Sequence, residues 1–328
     1  MHPITAIGLI LLGLAFLAGG GESLVRGATG IARLAGVTPA VIGLTVVAIG
    51  TSTPELVVSF VAAMRGQSEI AVANVVGSSI FNITLTLGVT AMIFALPVRG
   101  SAVRMEWPFM FAATCACLLA MRDGMISRIE AGIFVTALIL FMGYAVRLAK
   151  REVTSAEVKQ HTQAVEDRVG GPVVEPRALG AVVLLTVGLF ALIVGGRLLL
   201  EGATTIARMA GMTERVIGLT VVAAGTGMPE LATCIIAVRR NQPDVAVANM
   251  IGSNIFNILG ILGITALIRP IPISAAMLGS DMVWMLGATI LLYPILVTGM
   301  RISRWQGALL AAVYGVYLVL LLTPGFLR

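Results

Sequence analysis

The chain has 328 residues, 58% of them hydrophobic and only 12% charged, with a formal net charge of +6. Soluble domains carry about 25% charged residues and under half apolar ones, so this composition excludes an ordinary soluble protein and marks an integral membrane protein. Apolar runs of about 20 residues suit membrane-crossing helices and exclude a barrel of roughly 10-residue alternating strands.

Ten spans follow in chain order, with cores at residues 4–20, 40–63, 70–95, 105–121, 127–148, 178–199, 215–238, 245–268, 277–298 and 305–323. The first lacks a charged leader and a cleavage signal, and is expected to be a retained span rather than a signal peptide. Between the fifth and sixth lies the one clearly polar segment, Lys150 to Arg177, a loop with a surface helix ended by Gly170, Gly171 and Pro172. The expected organisation is a first five-helix unit over 1–149, the loop 150–177, and a second five-helix unit over 178–328. With both termini outside, the inward loops hold 14 of the 22 Lys and Arg residues, so the positive-inside rule puts the long loop in the cytoplasm.

Other chemistries are poorly provided for. Cys115, Cys117 and Cys234 form no CxxC pattern and sit in apolar runs as small hydrophobes. The only histidines, His2 and His161, lie at the terminus and in the polar loop, so a soft or borderline metal has almost no ligands. No basic cluster interleaves with aromatics, which excludes nucleic acid as a partner, and no P-loop points to a nucleotide.

The chain repeats itself. GATGIARLAGVTPAVIGLTVVAIGTSTPEL from Gly27 matches GATTIARMAGMTERVIGLTVVAAGTGMPEL from Gly202, and VANVVGSSIFNI from Val72 matches VANMIGSNIFNI from Val247. The offset is 175 residues in both blocks, without a gap. Each half holds five spans, an odd number, so the second half enters the membrane from the opposite side. The fold class is therefore an all-α integral membrane protein of ten transmembrane helices in two inverted-topology five-helix repeats. Inverted repeats are a transporter architecture with the site near mid-membrane; a duplicated structural bundle is the bland alternative. The repeated motifs cover residues of about 40–95 and 215–268.

Polar residues inside these spans repeat too. Pro54 and Pro229 cannot donate to the carbonyls of Gly50 and Gly225, and bare carbonyls are costly in a bilayer unless something binds them. Thr51 and Glu55 share a helix face at a spacing of four, as do Thr226 and Glu230, Ser78 and Asn82, and Ser253 and Asn257. These are hard oxygen ligands, suited to Ca²⁺, Na⁺ or Mg²⁺. Two carboxylates carry −2, which one Ca²⁺, two Na⁺ or two protons neutralise, so alternative loads can compete for one pair of acids. A structural ion pair would need Arg or Lys beside Glu55 or Glu230, and neither central segment has one. Ser78 and Ser253 have a competing reading as close-packing or back-bonding residues. Asn74 and Asn249 read equally as ligands or as glue between helices. Glu106 and Asp281 read as ordinary acids at helix starts. Glu22 with Arg26, and Arg197 with Glu201, read as salt bridges along a helix face.

At these residues the chain resembles the sodium/calcium exchanger family of the calcium/cation antiporter superfamily, in its prokaryotic type. The resemblance spans nearly the whole chain and rests on GTSTPE (Gly50 to Glu55), GSSIFN (Gly77 to Asn82) and GSNIFN (Gly252 to Asn257). It implies Glu55 and Glu230 as calcium-coordinating acids with Thr51 and Thr226 beside them. It further implies Ser52, Ser78 and Ser253 as sodium ligands, carbonyls from Ala48 and Ala223, and Asn82 and Asn257 at the centre. It also implies alternating access, with the first and sixth helices sliding over a fixed core, which the glycine-rich LAGGGES and LIVGGRL fit. Two residues depart from the family pattern: Gly227 stands for a serine, and Asn257 stands where many prokaryotic members have aspartate.

The resulting expectation is a Na⁺/Ca²⁺ antiporter of the inner (plasma) membrane, functional as a monomer in the lipid bilayer, with inorganic cations as cargo and no cofactor. Three alternatives stay open at this point: a proton-driven antiporter of Ca²⁺ or another divalent, a membrane-embedded enzyme using Glu55 and Glu230, and a channel.

Overall fold

The computed structural model describes residues 3–66, 68–152, 178–209, 223–275 and 277–323. The polar loop from 153, with His161, and the first part of the seventh span, 210–222, lie outside the described residues.

Helix α1 covers Pro3–Ala35, α2 Pro39–Thr51, α3 Thr53–Met64, α4 Ser68–Ile93, α5 Ala102–Ala120 and α6 Arg128–Glu152. In the second half, α7 covers Ala178–Met209, α8 Ala223–Thr226, α9 Met228–Arg239, α10 Pro243–Ile268, α11 Met277–Met300 and α12 Arg304–Leu322. Among the described residues, eight helices are long and apolar enough to cross a membrane, and the bent pair α2–α3 makes a ninth span. The pair α8–α9 stands where the tenth belongs.

Two helices run well past the predicted spans. At about 1.5 Å per residue, the 33 residues of α1 reach roughly 50 Å, more than the bilayer's apolar thickness of about 30 Å. In its charged second half Glu22 takes two guanidinium partners. Arg26 Nε lies 2.6 Å from Glu22, and Arg240 from the end of α9 grips the same carboxylate, its Nε at 2.9 Å. The helix stops at Gly36, whose φ of +64° suits a glycine cap. Arg197 and Glu201 on α7 were expected to pair likewise; both side chains are exposed and no salt bridge joins them.

The inversion is visible in the packing. Helices α1 and α7 run antiparallel along a seam of glycines at seven-residue intervals: Gly13, Gly20 and Gly27 against Gly188, Gly195 and Gly202. A Cβ at Gly27 would sit 2.4 Å from the backbone nitrogen of Leu185, and one at Gly188 2.4 Å from that of Leu24. Only bare backbone permits this approach. One residue further round, Gly21 and Gly196 face α9 instead, at Ile236 and Pro229.

Two short ribbons repeat the symmetry. β1 (Leu96–Pro97) pairs antiparallel with β4 (Arg301–Ile302), and β2 (Met125–Ile126) with β3 (Ile271–Pro272). Each ribbon thus joins one half to the other. Helices α4 and α10 form the centre, with 78% and 83% of their apolar windows buried against 28% for α1. Both contain a π-helical stretch, Asn82–Thr86 in α4 and Phe256–Leu262 in α10.

Candidate cation site

The two broken helices carry the acids. α2 meets α3 at Ser52 (φ −81°, ψ 7°) with a bend of 41°, and α8 meets α9 at Gly227 (φ −81°, ψ −2°). In each case proline follows two residues later, inside the first turn of the new helix, where its missing N–H costs nothing. Glu55 and Glu230 come next, still in that turn, where the positive end of the helix dipole favours a carboxylate. Both are completely buried. They lie close enough for their charges to act on one another.

Around them the structure gathers the residues singled out from sequence. Ser52, Ser78, Ser253, Asn82, Asn257 and Ala48 are fully buried, and Thr51, Thr226 and Ala223 almost so. They sit where α3, α4, α9 and α10 meet, with Asn82 opening the π-helical stretch of α4 and Asn257 within that of α10. Such π-turns are common at functional sites.

Hydrogen bonds across the two halves fix the arrangement. Ser52 Oγ donates to Glu230 Oε1 at 2.9 Å. Thr226 Oγ1 donates to Asn74 Oδ1 at 3.3 Å. Asn74 Nδ2 in turn donates to the Glu55 carbonyl at 3.1 Å and to Ser59 Oγ at 3.0 Å, while Ser59 Oγ donates to the Ala71 carbonyl at 3.1 Å. The amide of Asn74 thus links α3, α4 and α8, as its reading as glue between helices requires. In the second half Cys234 takes the place of Ser59, at 3.6 Å from the Ala246 carbonyl and 3.8 Å from Asn249 Nδ2. From sequence Ser59 is passed over and Cys234 reads as a small hydrophobe, although the 175-residue offset aligns them.

At the first break the expected bare carbonyl is not bare. Backbone N–H groups at the first break bond to the oxygens of Ala48 and Gly50, so the chain itself makes up for the N–H that Pro54 lacks. The Ala48 carbonyl accepts from Ser52 N at 3.1 Å and Thr51 Oγ1 at 3.4 Å; that of Ala223 accepts from Gly227 N at 3.3 Å and Thr226 Oγ1 at 3.2 Å. The side-chain atoms that lack a partner include both carboxylate oxygens of Glu55, Glu230 Oε2, the hydroxyls of Ser78 and Ser253, and the amide groups of Asn82 and Asn257, together with further buried hydroxyls and amide oxygens such as Thr233 Oγ1 and Asn249 Oδ1. Each such buried group costs about 1–3 kcal/mol if left unpaired. Their concentration is what a cation-binding cage requires. Among the described residues no three His, Cys, Asp or Glu side chains converge, so the negative charge is that of the two acids.

Two further regions flank this centre. At one end Arg99 Nε lies 3.1 Å from Asp244 and Arg99 Nη1 donates to Thr38 at 2.9 Å, leaving a cavity of only about 10 Å³ beside buried Glu106. A larger cavity, about 480 Å³, is lined by Ser68, Glu69, Pro272 and Ser274 among others. The repeat offset carries Asp244 back to Glu69, and Pro97 and Arg99 of the small cavity forward to Pro272 and Ser274. Glu106 and Asp281 are both buried where their helices begin, at the last residue of matching π-turns.

A family model described as "Sodium/calcium exchanger protein" matches residues 5–147 and 180–323. The "Putative antiporter CaxA" of Alkalimonas amylolytica is 38% identical over 315 residues, covering 95% of this chain and 97% of that one. The "Inner membrane protein YrbG" of Escherichia coli is 36% identical over 271 residues, 81% of each chain. Among solved structures, the sodium-calcium exchanger NCX_Mj soaked with 100 mM Na⁺ and 10 mM Sr²⁺ superposes with a TM-score of 0.81 at 30% identity, covering 97% of this chain and 99% of that chain.

Proposed function

Because the chain belongs to the sodium/calcium exchanger family, we propose that it exchanges Na⁺ for Ca²⁺ across the membrane by alternating access, with Glu55 and Glu230 as the shared acidic pair. One observation carries this reading: two buried acids without a basic partner, surrounded by unpartnered hydroxyl and amide groups contributed by both halves. One Ca²⁺ or a set of Na⁺ ions would satisfy that cage, and the two loads compete for the same charge. Glu55, Glu230, Ser78, Ser253, Asn82 and Asn257 supply side-chain oxygens; Ser52 and Thr226 tie one half to the other through their hydroxyls. Ala48 and Ala223 contribute carbonyls that are already partly engaged, and Thr51 contributes its backbone oxygen.

Each half-site stands on its own broken helix, so both can stay fixed while α1 and α7 move across them. Gly21 and Gly196 give that moving pair a face of small residues where it meets α9. Both half-sites lie in one chain, so a monomer suffices. The excess of Lys and Arg in loops of one side favours both termini outside and the 150–177 loop in the cytoplasm of an inner (plasma) membrane.

Vesicles loaded with Na⁺ and diluted into ⁴⁵Ca²⁺ test the reading. Uptake should follow the imposed Na⁺ gradient and be electrically silent only if two Na⁺ move per Ca²⁺. Uptake driven by a pH gradient with no Na⁺ present would replace it with proton-driven antiport. The glycine at 227, which leaves the second half one hydroxyl short, is the observation that keeps this second reading in play.

A further inference from the structure

The two halves differ at their helix breaks in a way that a missing hydroxyl does not fully describe. Ser52 and Gly227 occupy the same repeat position, and so do Phe81 and Phe256, and Leu85 and Gly260. In the second half the ring of Phe256 lies on its own helix: a Cβ at Gly260, one turn on, would meet that ring at 2.6 Å. In the first half Leu85 fills this place, and Phe81 points elsewhere. Its ring lies against the opposite half, where a Cβ at Gly227 would meet Cδ1 at 2.7 Å and Cε1 at 2.8 Å. Phe81 is fully buried and edge-on to Tyr314 at 5.6 Å between centroids, so the ring is held in that position. The helix contacts agree: α4 touches α9 through its π-helical stretch, and α10 touches α3 through its own.

We propose that Phe81 and Gly227 form a matched pair in which an aromatic ring takes the volume of a hydroxymethyl group, making Phe81 a residue that sets how many sodium ions the site accepts. The inference rests on the Na⁺/Ca²⁺ reading above. On the first side of the cage, Ser52 offers a hydroxyl bonded to Glu230. On the other side the ring of Phe81 stands where a Cβ at position 227 would be, so a hydroxymethyl group equivalent to that of Ser52 has no room there. A ring edge is a poor ligand for Na⁺, so one small hard cation is excluded while the two acids remain available to Ca²⁺. Leu85 acts behind Phe81 as a positioning residue, since it denies the ring the place that Phe256 takes.

Gly227→Ser, Gly227→Ser with Phe81→Leu, and Gly227→Ser with Leu85→Gly provide the test, each compared with the wild-type protein in two measurements. The first is the unfolding temperature in detergent; the second is the Na⁺ dependence of ⁴⁵Ca²⁺ exchange in vesicles. Gly227→Ser alone should lower the unfolding temperature by several degrees and exchange by about 10-fold, because the new Cβ collides with a fixed ring. Either companion change should restore both and raise the Na⁺ Hill coefficient by about one, a gain that mere relief of strain would not produce. Wild-type behaviour of Gly227→Ser with Phe81 intact would overturn the pairing, and so would double variants no better than the single one. Restored stability without a change in Na⁺ cooperativity would overturn the ion-number role. If wild-type exchange ignores Na⁺ altogether, the Na⁺/Ca²⁺ reading fails; the unfolding temperatures still decide whether ring and glycine are coupled.

Discussion

Beside the same pair of acids, the first half of the molecule uses a serine where the second uses a cysteine, and a serine again where the second uses a glycine. Ser59 and Cys234 play the same part, each contacting a backbone carbonyl and an asparagine amide, at 3.1 and 3.0 Å in one half and 3.6 and 3.8 Å in the other. Around them the backbone is duplicated closely, down to the break angles and the π-turns. The comparison separates two kinds of position. Where both halves keep the same group, as at Glu55 and Glu230 or Asn82 and Asn257, the proposed cage assigns the two copies one shared requirement. Where they differ, as at Ser52 and Gly227 or Arg99 and Ser274, one half carries a task that the other does not.

The largest effect is expected where the halves agree. Glu55→Gln and Glu230→Gln should each reduce ⁴⁵Ca²⁺ exchange by more than about 100-fold, since loss of mere supporting groups at metal sites already costs 10–100-fold. Near-normal exchange in either would break the equivalence of the two halves. The glycine seam is also shared, and Gly27→Leu forces a side chain against backbone 2.4 Å away. It should cost about 3 kcal/mol, read as a lower unfolding temperature in detergent and poor yield; Gly188→Leu should do the same.

Smaller effects should expose the differences. Ser59→Ala removes one of two partners from Asn74 Nδ2 and should destabilise by about 1 kcal/mol, whereas Cys234→Ser, which makes the halves alike, should be neutral or slightly stabilising. The thermal shifts of the two variants, measured side by side, sharpen or cancel the contrast. Arg99→Ala should change stability least, by under about 1 kcal/mol, because the pair with Asp244 is one-third exposed. Its readout is access: a cysteine placed at Val247, beside the small cavity, should react faster with a soluble thiol reagent once Arg99 is gone.

The sequence alone revealed the spans, the repeat and the acids, because membrane burial writes itself as long apolar runs and a duplication writes itself as a fixed offset. Helix ends were less legible. Residues 21–35 contain Glu22, Arg26 and Arg33 and lie past the predicted first span; the helix-face pairing of Glu22 with Arg26 was legible, but not that α1 continues to Ala35 or that Glu22 also meets Arg240. That second partner is more than 200 residues away in the chain, beyond any local pattern. The carbonyls near Pro54 read as free because a proline deletes a donor, while the structure supplies another donor through the turn at Ser52. The ring of Phe81 left no trace as a site residue. An identical phenylalanine stands at the same place in both repeats, and the two rings face different neighbours, Phe81 at Gly227 of the other half and Phe256 at Gly260 of its own helix.

The seam between α1 and α7 has a meaning beyond tight packing. Its glycines recur at the same positions in each half, so the surface is its own complement: each face meets a copy of itself turned over. This is the pattern of an isologous dimer interface, here enclosed in one polypeptide. A single five-helix half that inserted into the membrane in both orientations would already carry both faces of the joint. Fusing two such halves fixes their ratio at one to one. It also frees each copy to change separately, and the contrast between Ser52 and Gly227 is a change that an assembly of identical halves has no means to make.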